Sequence, residues 1–323
     1  MDRNLALEAV RVTEAAALAA SRQMGRGDEH AADQVAVDAM RTALNSLAIK
    51  GTVVIGEGER DEAPMLFIGE EVGLGEGPII DIALDPLEGT TITAKGLTNA
   101  LAVVAMAEEG GFLNSPDVYM DKIAVGGDLP DEIIDIDEEP KTNLKNLAQA
   151  KKVDVADIVV CILDRPRHED LIAKVRSSGA RIMLISDGDI SGVMATSEAE
   201  SGVDIYIGSG GAPEGVLAAS ALRCIGGQMQ ARLLFRNDDE RARARHCGIE
   251  DFNRKYGLYD LAHGDVMFAA TGVTNGTMLK GVRRFSGGAT THSVVMRSRS
   301  GTVRYIESVH NFDRKTGFDP VDH

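Results

Sequence analysis

An α/β fold in two units is predicted by three features of the 323-residue sequence. They are a pair of amphipathic stretches at its start, apolar strand-like runs separated by glycine-rich turns up to about residue 125, and a regular alternation of strand-like and helical segments after about residue 150. Over residues 5–24 and 29–47 apolar side chains recur every three or four positions, the spacing of a one-faced helix, and Gly25-Arg26-Gly27-Asp28 separates the two. Strands follow at 52–55, 78–84, 101–106 and 118–125. The segment 128–139 is acidic, and Pro130 and Pro140 punctuate it. The pattern changes beyond it, which places a domain boundary near residue 150 and gives units of 1–150 and 151–323. In the second unit, strands at 157–163, 181–186 and 203–207 alternate with helices at 169–178 and 214–224, which implies a largely parallel sheet. Residues 292–297 and 302–308 flank Ser298-Arg299-Ser300-Gly301 as a β-hairpin.

The charge balance narrows the function. Lys and Arg total 34 against 50 Asp and Glu, a net charge of -16, so the surface repels polyanions and neither nucleic acid nor an anionic membrane is an expected partner. Phosphate on a small molecule stays compatible, because arginines, backbone N–H groups or a bound cation supply the positive charge locally. Cys161, Cys224 and Cys247 are odd in number, far apart and without Cys-x-x-Cys or Cys/His spacing, so neither a disulfide framework nor a zinc site is expected. The first 22 residues alternate charge with alanine and no later run approaches the roughly 18 apolar residues of a membrane span, which reads as a cytoplasmic protein.

Two acidic clusters stand out. Gly56-Glu57-Gly58-Glu59-Arg60-Asp61-Glu62 follows one apolar strand, and Asp81-Ile82-Ala83-Leu84-Asp85-Pro86-Leu87-Glu88-Gly89-Thr90-Thr91 carries another strand into carboxylates. Either loop alone reads equally well as a solvated turn. Two strands ending in carboxylates, the second with Gly89 and Thr90 immediately after, suit a magnesium or manganese site that takes oxygen ligands and a phosphate.

The run Asp85-Pro86-Leu87-Glu88-Gly89-Thr90, preceded by Gly56-Glu57-Gly58-Glu59, resembles the class II fructose-1,6-bisphosphatases, the bacterial type that also occurs as a fructose/sedoheptulose bisphosphatase. The likeness extends from about residue 4 to 312 and includes Met24-Gly25-Arg26-Gly27-Asp28, Ala31-Ala32-Asp33 and Gly208-Ser209-Gly210-Gly211-Ala212-Pro213-Glu214-Gly215. The wider superfamily of lithium-sensitive sugar phosphatases typically has Asp in place of Glu88 and a Trp-Asp pair where this chain has Pro213-Glu214; this chain contains no tryptophan. The resemblance implies a layered α-β-α-β-α sandwich and hydrolysis of the C1 phosphate of fructose 1,6-bisphosphate, a gluconeogenic reaction, with Mg2+ or Mn2+ in a homodimer or homotetramer. It implies Asp33 and Glu57 as ligands of one metal, and Asp85, Glu88 and Glu214 as ligands of another. Read locally, Asp33 is an ordinary polar helix residue and Glu214 an acidic residue favoured at a helix start.

Thr90 is the candidate to orient the attacking water, with helix capping as its structural alternative. Asp61 would help deprotonate that water or bind a further ion. A bisphosphate needs cationic or N–H partners for its far phosphate. Arg165, Pro166 and Arg167 offer them at the carboxyl edge of a strand, although comparable family members have Lys before that proline. By the resemblance Glu88, Gly89, Thr90, Tyr119, Asp187, Gly188 and Asp189 also contact substrate, and the glycine loop ending at Gly211 supplies N–H groups. Alternatives are a sedoheptulose-1,7-bisphosphatase or dual-specificity enzyme, a non-catalytic phosphosugar-binding protein, and an aspartyl-phosphate phosphatase built on Asp187-Gly188-Asp189.

Overall fold

The computed structural model describes residues 5–58 and 65–314. Helices α1 (Leu5–Ala20) and α2 (Glu29–Leu44) form the first layer, with Asp28 capping α2 by accepting from the Ala31 N–H. They cover a first, mixed sheet of β1 (Lys50–Ile55), β2 (Glu71–Val72), β3 (Ile79–Glu88), β4 (Leu101–Glu108) and four strands from the far end of the chain: β11 (Val266–Gly272), β12 (Arg283–Phe285), β13 (Gly288–Arg297) and β14 (Thr302–Asn311). Among the described residues only β1 and β3 pair in parallel within it. The order is β12-β13-β11-β4-β3-β1-β2, with β14 along β13.

The second sheet runs β10-β9-β5-β8-β6-β7, built from β5 (Tyr119–Gly126), β6 (Val159–Leu163), β7 (Arg181–Ile185), β8 (Ile205–Gly211), β9 (Gly227–Leu234) and β10 (Tyr256–Gly257). Between the sheets lie α6 (Asp189–Ala195), α7 (Ala212–Ile225) and α9 (Leu258–Leu261), while α4 (Pro140–Lys151) and α5 (Glu169–Ser177) close the outer face of the second sheet. The short α3 (Thr90–Lys95) and α8 (Asp238–His246) complete the chain. The expected α-β-α-β-α sandwich is thus the observed one, and three apolar cores fill its four helix–sheet interfaces: one under α1 and α2, one under α4 and α5, and one that runs from sheet to sheet around the middle helices.

Strand alternation aims the side chains. In β4, Leu101, Val103, Ala105 and Ala107 face α7, whereas Ala102, Val104 and Met106 face α1 and α2. In β3, Ile80, Ile82 and Leu84 likewise face the outer helices and Ala83 faces α7, so Asp85, two residues on, is directed between the sheets. The register of β1 on β3 shifts between Val53 and Ile55, which turns the end of β1 inward at the same place.

One sequence expectation is corrected. The second sheet is mixed rather than largely parallel: only β6 pairs in parallel with β7 and β8, whereas β5 runs antiparallel between β8 and β9. The reason is that α7 carries the chain from β8 to β9 across an intervening β5, and the half-buried alternation of β9 was not recognised. β5 belongs to the second sheet, and β11 to β14 return to the first. No helix among the described residues is long and apolar enough to cross a membrane.

Candidate active site

The ends of β1 and β3 and the first residues of α3, α6 and α7 surround a cavity of about 300 Å3. Asp33, Glu57, Asp85, Glu88, Gly89, Thr90, Asp187, Gly188, Asp189 and Glu214 all line it, residues drawn from α2, both acidic loops and the two later helix starts. Asp61 lies outside the described residues. The cavity also takes in Asp117, which the sequence reading missed; its local signal, an Asp after Ser115-Pro116 leading into a strand, is weak.

Local geometry brings these groups close. Gly89 caps α3 in the left-handed region at φ 91°, a conformation that glycine adopts without strain, and no side chain caps the helix, so the capping role weighed for Thr90 does not hold. A Cβ on Gly211 would overlap the Glu214 carboxylate, so the glycine lets Glu214 fold back over the start of its own helix. Pro213 stands in the first turn of α7, where its missing N–H costs nothing. Asp85 Oδ1 accepts from Leu87 N at 3.0 Å, and Glu88 Oε1 accepts from Ile190 N at 2.8 Å, which ties β3 to the start of α6.

Burial dominates the electrostatics. It pushes Glu57 up to about 8, with Asp33, Glu214 and Asp117 adding repulsion. Glu214 rises to about 7, first by burial and then by the nearby Asp189, with Lys122 acting in the opposite direction. Asp85 and Glu88 are raised well above the carboxylate range, Asp33 also upward, each first by burial. Glu88 Oε2 and Glu214 Oε2 are buried without a hydrogen-bond partner. An all-oxygen set of ionisable carboxylates with orphaned buried oxygens fits a hard divalent cation. Among the described residues no three such side chains are yet closed into a coordination shell; they face one another across the cavity.

The opposite wall answers its own charges. Asp189 is bonded to Lys122, whose side chain is 0% exposed and whose Nζ also donates to Gly211 O at 2.8 Å. Asp189 is therefore committed to an internal cation, which leaves it poorly suited to act as a phosphorylated nucleophile. Lys122 was missed from sequence; the available signal was a lysine in phase with Met120 and Ala124, the inward face of β5. Asp187 stands 3.5 Å from Arg165.

Beside this wall lies the turn that contains Pro166 and Arg167. Arg167 donates to Ser209 O at 2.7 Å, and its guanidinium lies 5.0 Å from the centre of the Tyr119 ring, over which it stacks. Tyr119 is opposite Gly211 in the β5–β8 register. Buried His168 accepts at Nε2 from Ser209 N at 2.9 Å and reaches Leu163 O through Nδ1 at 2.8 Å, so the ring is in its Nδ1–H form and pins the Arg167 turn to the glycine strand.

A sandwich of two sheets whose strand ends and helix starts meet in a carboxylate-lined cavity, with arginines alongside, defines a cation-assisted phosphate-ester hydrolase. The bacterial fructose-1,6-bisphosphatase family, glpX-encoded, matches residues 3–310. The chain is 46% identical over 329 residues to fructose-1,6-bisphosphatase 1 class 2 of Escherichia coli (strain K12), covering 98% of this chain and 97% of that protein. It is 44% identical over 338 residues to the D-fructose 1,6-bisphosphatase class 2/sedoheptulose 1,7-bisphosphatase of Synechococcus sp. (strain JA-2-3B'a(2-13)), covering 97% of each. The chain belongs to the bacterial fructose-1,6-bisphosphatase family and is a phosphatase.

Proposed function

We propose that this chain hydrolyses the C1 phosphate of fructose 1,6-bisphosphate to fructose 6-phosphate and phosphate, a gluconeogenic step, with Mg2+ or Mn2+ held by Asp33, Glu57, Asp85, Glu88 and Glu214. The observation that carries this reading is the convergence of those carboxylates, from α2, the loop after β1, β3 and α7, on one cavity where burial disfavours their charge. A bound divalent cation supplies charge neutralisation of the phosphate and a lowered pKa for water. Thr90, at the mouth of α3, orients the attacking water through its hydroxyl, and Asp61 assists its deprotonation. Glu88, Gly89, Asp187, Gly188, Asp189 and Gly211 contact the sugar and reacting phosphate. Tyr119, Arg165, Pro166 and Arg167 form the shelf for the phosphate that is kept.

A seven-carbon substrate is the second reading, favoured by the double name of the Synechococcus relative. The protein acts in the cytoplasm as a homodimer or homotetramer. Phosphate release from a panel of sugar mono- and bisphosphates, with magnesium, manganese or chelator, tests the reading. Metal-dependent turnover of fructose 1,6-bisphosphate is expected. Binding without turnover would instead make this a phosphosugar-binding protein, and preference for sedoheptulose 1,7-bisphosphate would favour the sibling specificity.

A further inference from the structure

We propose that Arg236 is a specificity-determining residue that joins Arg167 in clamping the phosphate remote from the carboxylate cavity. The inference rests on the reading of Arg167 given above. Strand β9 ends at Leu234, directly opposite Tyr119 in the β5–β9 register, and the chain two residues later brings Arg236 back over the same ring. Its guanidinium carbon lies 5.2 Å from the centre of the Tyr119 ring, against 5.0 Å for Arg167, so two guanidinium groups share one aromatic side chain.

The second arginine is also held in place. Arg236 Nε donates to Glu240 Oε1 at 2.6 Å and Arg236 N donates to Glu240 Oε2 at 2.7 Å, while Glu240 itself is only 2% exposed and donates through its own N–H to the Asn237 cap at 2.8 Å. A buried carboxylate thus grips the inner edge of the guanidinium at the start of α8, and the side chain remains 62% exposed. Glu240 first, with Tyr119 and Asp117 after it, raises the pKa of Arg236, which places the cation within electrostatic reach of Asp117 on the carboxylate cavity's wall. Arg167 donates to the neutral carbonyl and hydroxyl of Ser209, so its charge is not cancelled there. A fixed fork and an uncancelled one that share an aromatic ring suit a phosphate dianion held by several charge-assisted hydrogen bonds.

The test compares fructose 1,6-bisphosphate with fructose 1-phosphate, which lacks the remote phosphate, using the full-length enzyme with magnesium and the variants Arg236→Gln, Arg236→Lys and Arg167→Ala. Arg236→Gln is expected to raise KM for the bisphosphate about tenfold, with kcat and the monoester kcat/KM unchanged. Arg236→Lys, which keeps the charge but loses the fork, is expected to fall between. An unchanged bisphosphate KM, or an equal loss on both substrates, overturns the proposal. Should Arg236→Gln melt below the assay temperature, Arg236→Lys decides by the same two readouts. If Arg167→Ala impairs the bisphosphate selectively and neither Arg236 variant does, the inference alone fails. If Arg167→Ala spares the bisphosphate, the shelf itself is misassigned and both readings fall.

Discussion

The two walls of the cavity bury carboxylates in opposite ways. On the wall built by the first sheet, Asp85 and Glu88 receive backbone N–H groups from Leu87 and Ile190, and Glu57 is surrounded by further acids. On the wall built by the second sheet, Asp189 meets buried Lys122 and Asp187 faces Arg165. Glu214 stands between, repelled by Asp189 and relieved by Lys122. A buried charge must be paired or neutralised, and here the fold itself supplies the counter-charge on one side only. The other side is organised to receive it from outside.

Removing a carboxylate from the first wall breaks that contrast most severely. Glu57→Ala and Asp85→Ala should each lower phosphate release by roughly 10³-fold or more, since a cation's share of transition-state stabilisation is several kcal/mol. Full turnover with an ordinary magnesium requirement would remove that residue from the ligand set. Next in size is Thr90→Val, expected to lose roughly 10²-fold to 10⁴-fold in single-turnover rate while retaining its melting temperature, because Gly89 and not Thr90 holds the cap position. Thr90→Ser should keep part of the activity, and near-normal turnover by the valine variant would take Thr90 out of the chemistry.

On the second wall, Lys122→Met should destabilise the fold by about 3–5 kcal/mol in denaturant titrations, the usual result of stranding a buried partner, here Asp189. Pairing it with Asp189→Asn should recover part of that loss. A single mutant as stable as the parent would mean that the pair is not an internal balance. The smallest effect concerns pH. Glu57 has an ordinary value of 4.5 and is held at about 8 in the fold, so between those values the unfolded chain releases a proton that the folded one keeps. Fewer protons on the unfolded state means that stability falls as pH rises through this window and levels off above it. With chelator, the melting temperature should drop by a few degrees between about pH 5 and pH 8. Saturating magnesium should flatten the trend, and a metal-independent slope would count against this group as a ligand.

Much of the layer plan was legible because long segments carry a clear period. The α1 and α2 pattern, β4, buried up to its last residue, and the two strands of the β13–β14 hairpin announce themselves in elements of eight to sixteen residues. The site was legible differently. The clusters around Glu57 and Asp85 show locally that two strands end in acids, but Asp33 and Glu214 look like ordinary helix residues, and only the family likeness attached them to the cavity. Nothing in the spacing says that Lys122 meets Asp189, 67 residues later; alternation alone says only that the lysine points inward. The strand at β5 is legible, but β9 is not, and its antiparallel pairing with β5 escapes the sequence because pairing direction is decided by the crossover through α7, a tertiary fact that short strands do not carry.

The division of the first sheet between the two ends of the chain sets an order of events during synthesis. Thr13 on α1 shares a 2.7 Å hydrogen bond with Thr271 on β11, a partner 258 residues away, Glu14 accepts from Thr291, and Arg284 donates to Leu18 O at 2.6 Å. Until β11 and β13 leave the ribosome, α1 has no partner for much of its apolar stripe and β4 presents an open edge. Residues 119–257, which contain every strand of the second sheet, have all their strand partners earlier. The nascent protein therefore completes its middle before its beginning, and α1 waits, exposed to misassembly, for a long-range closure that pays its loop entropy last.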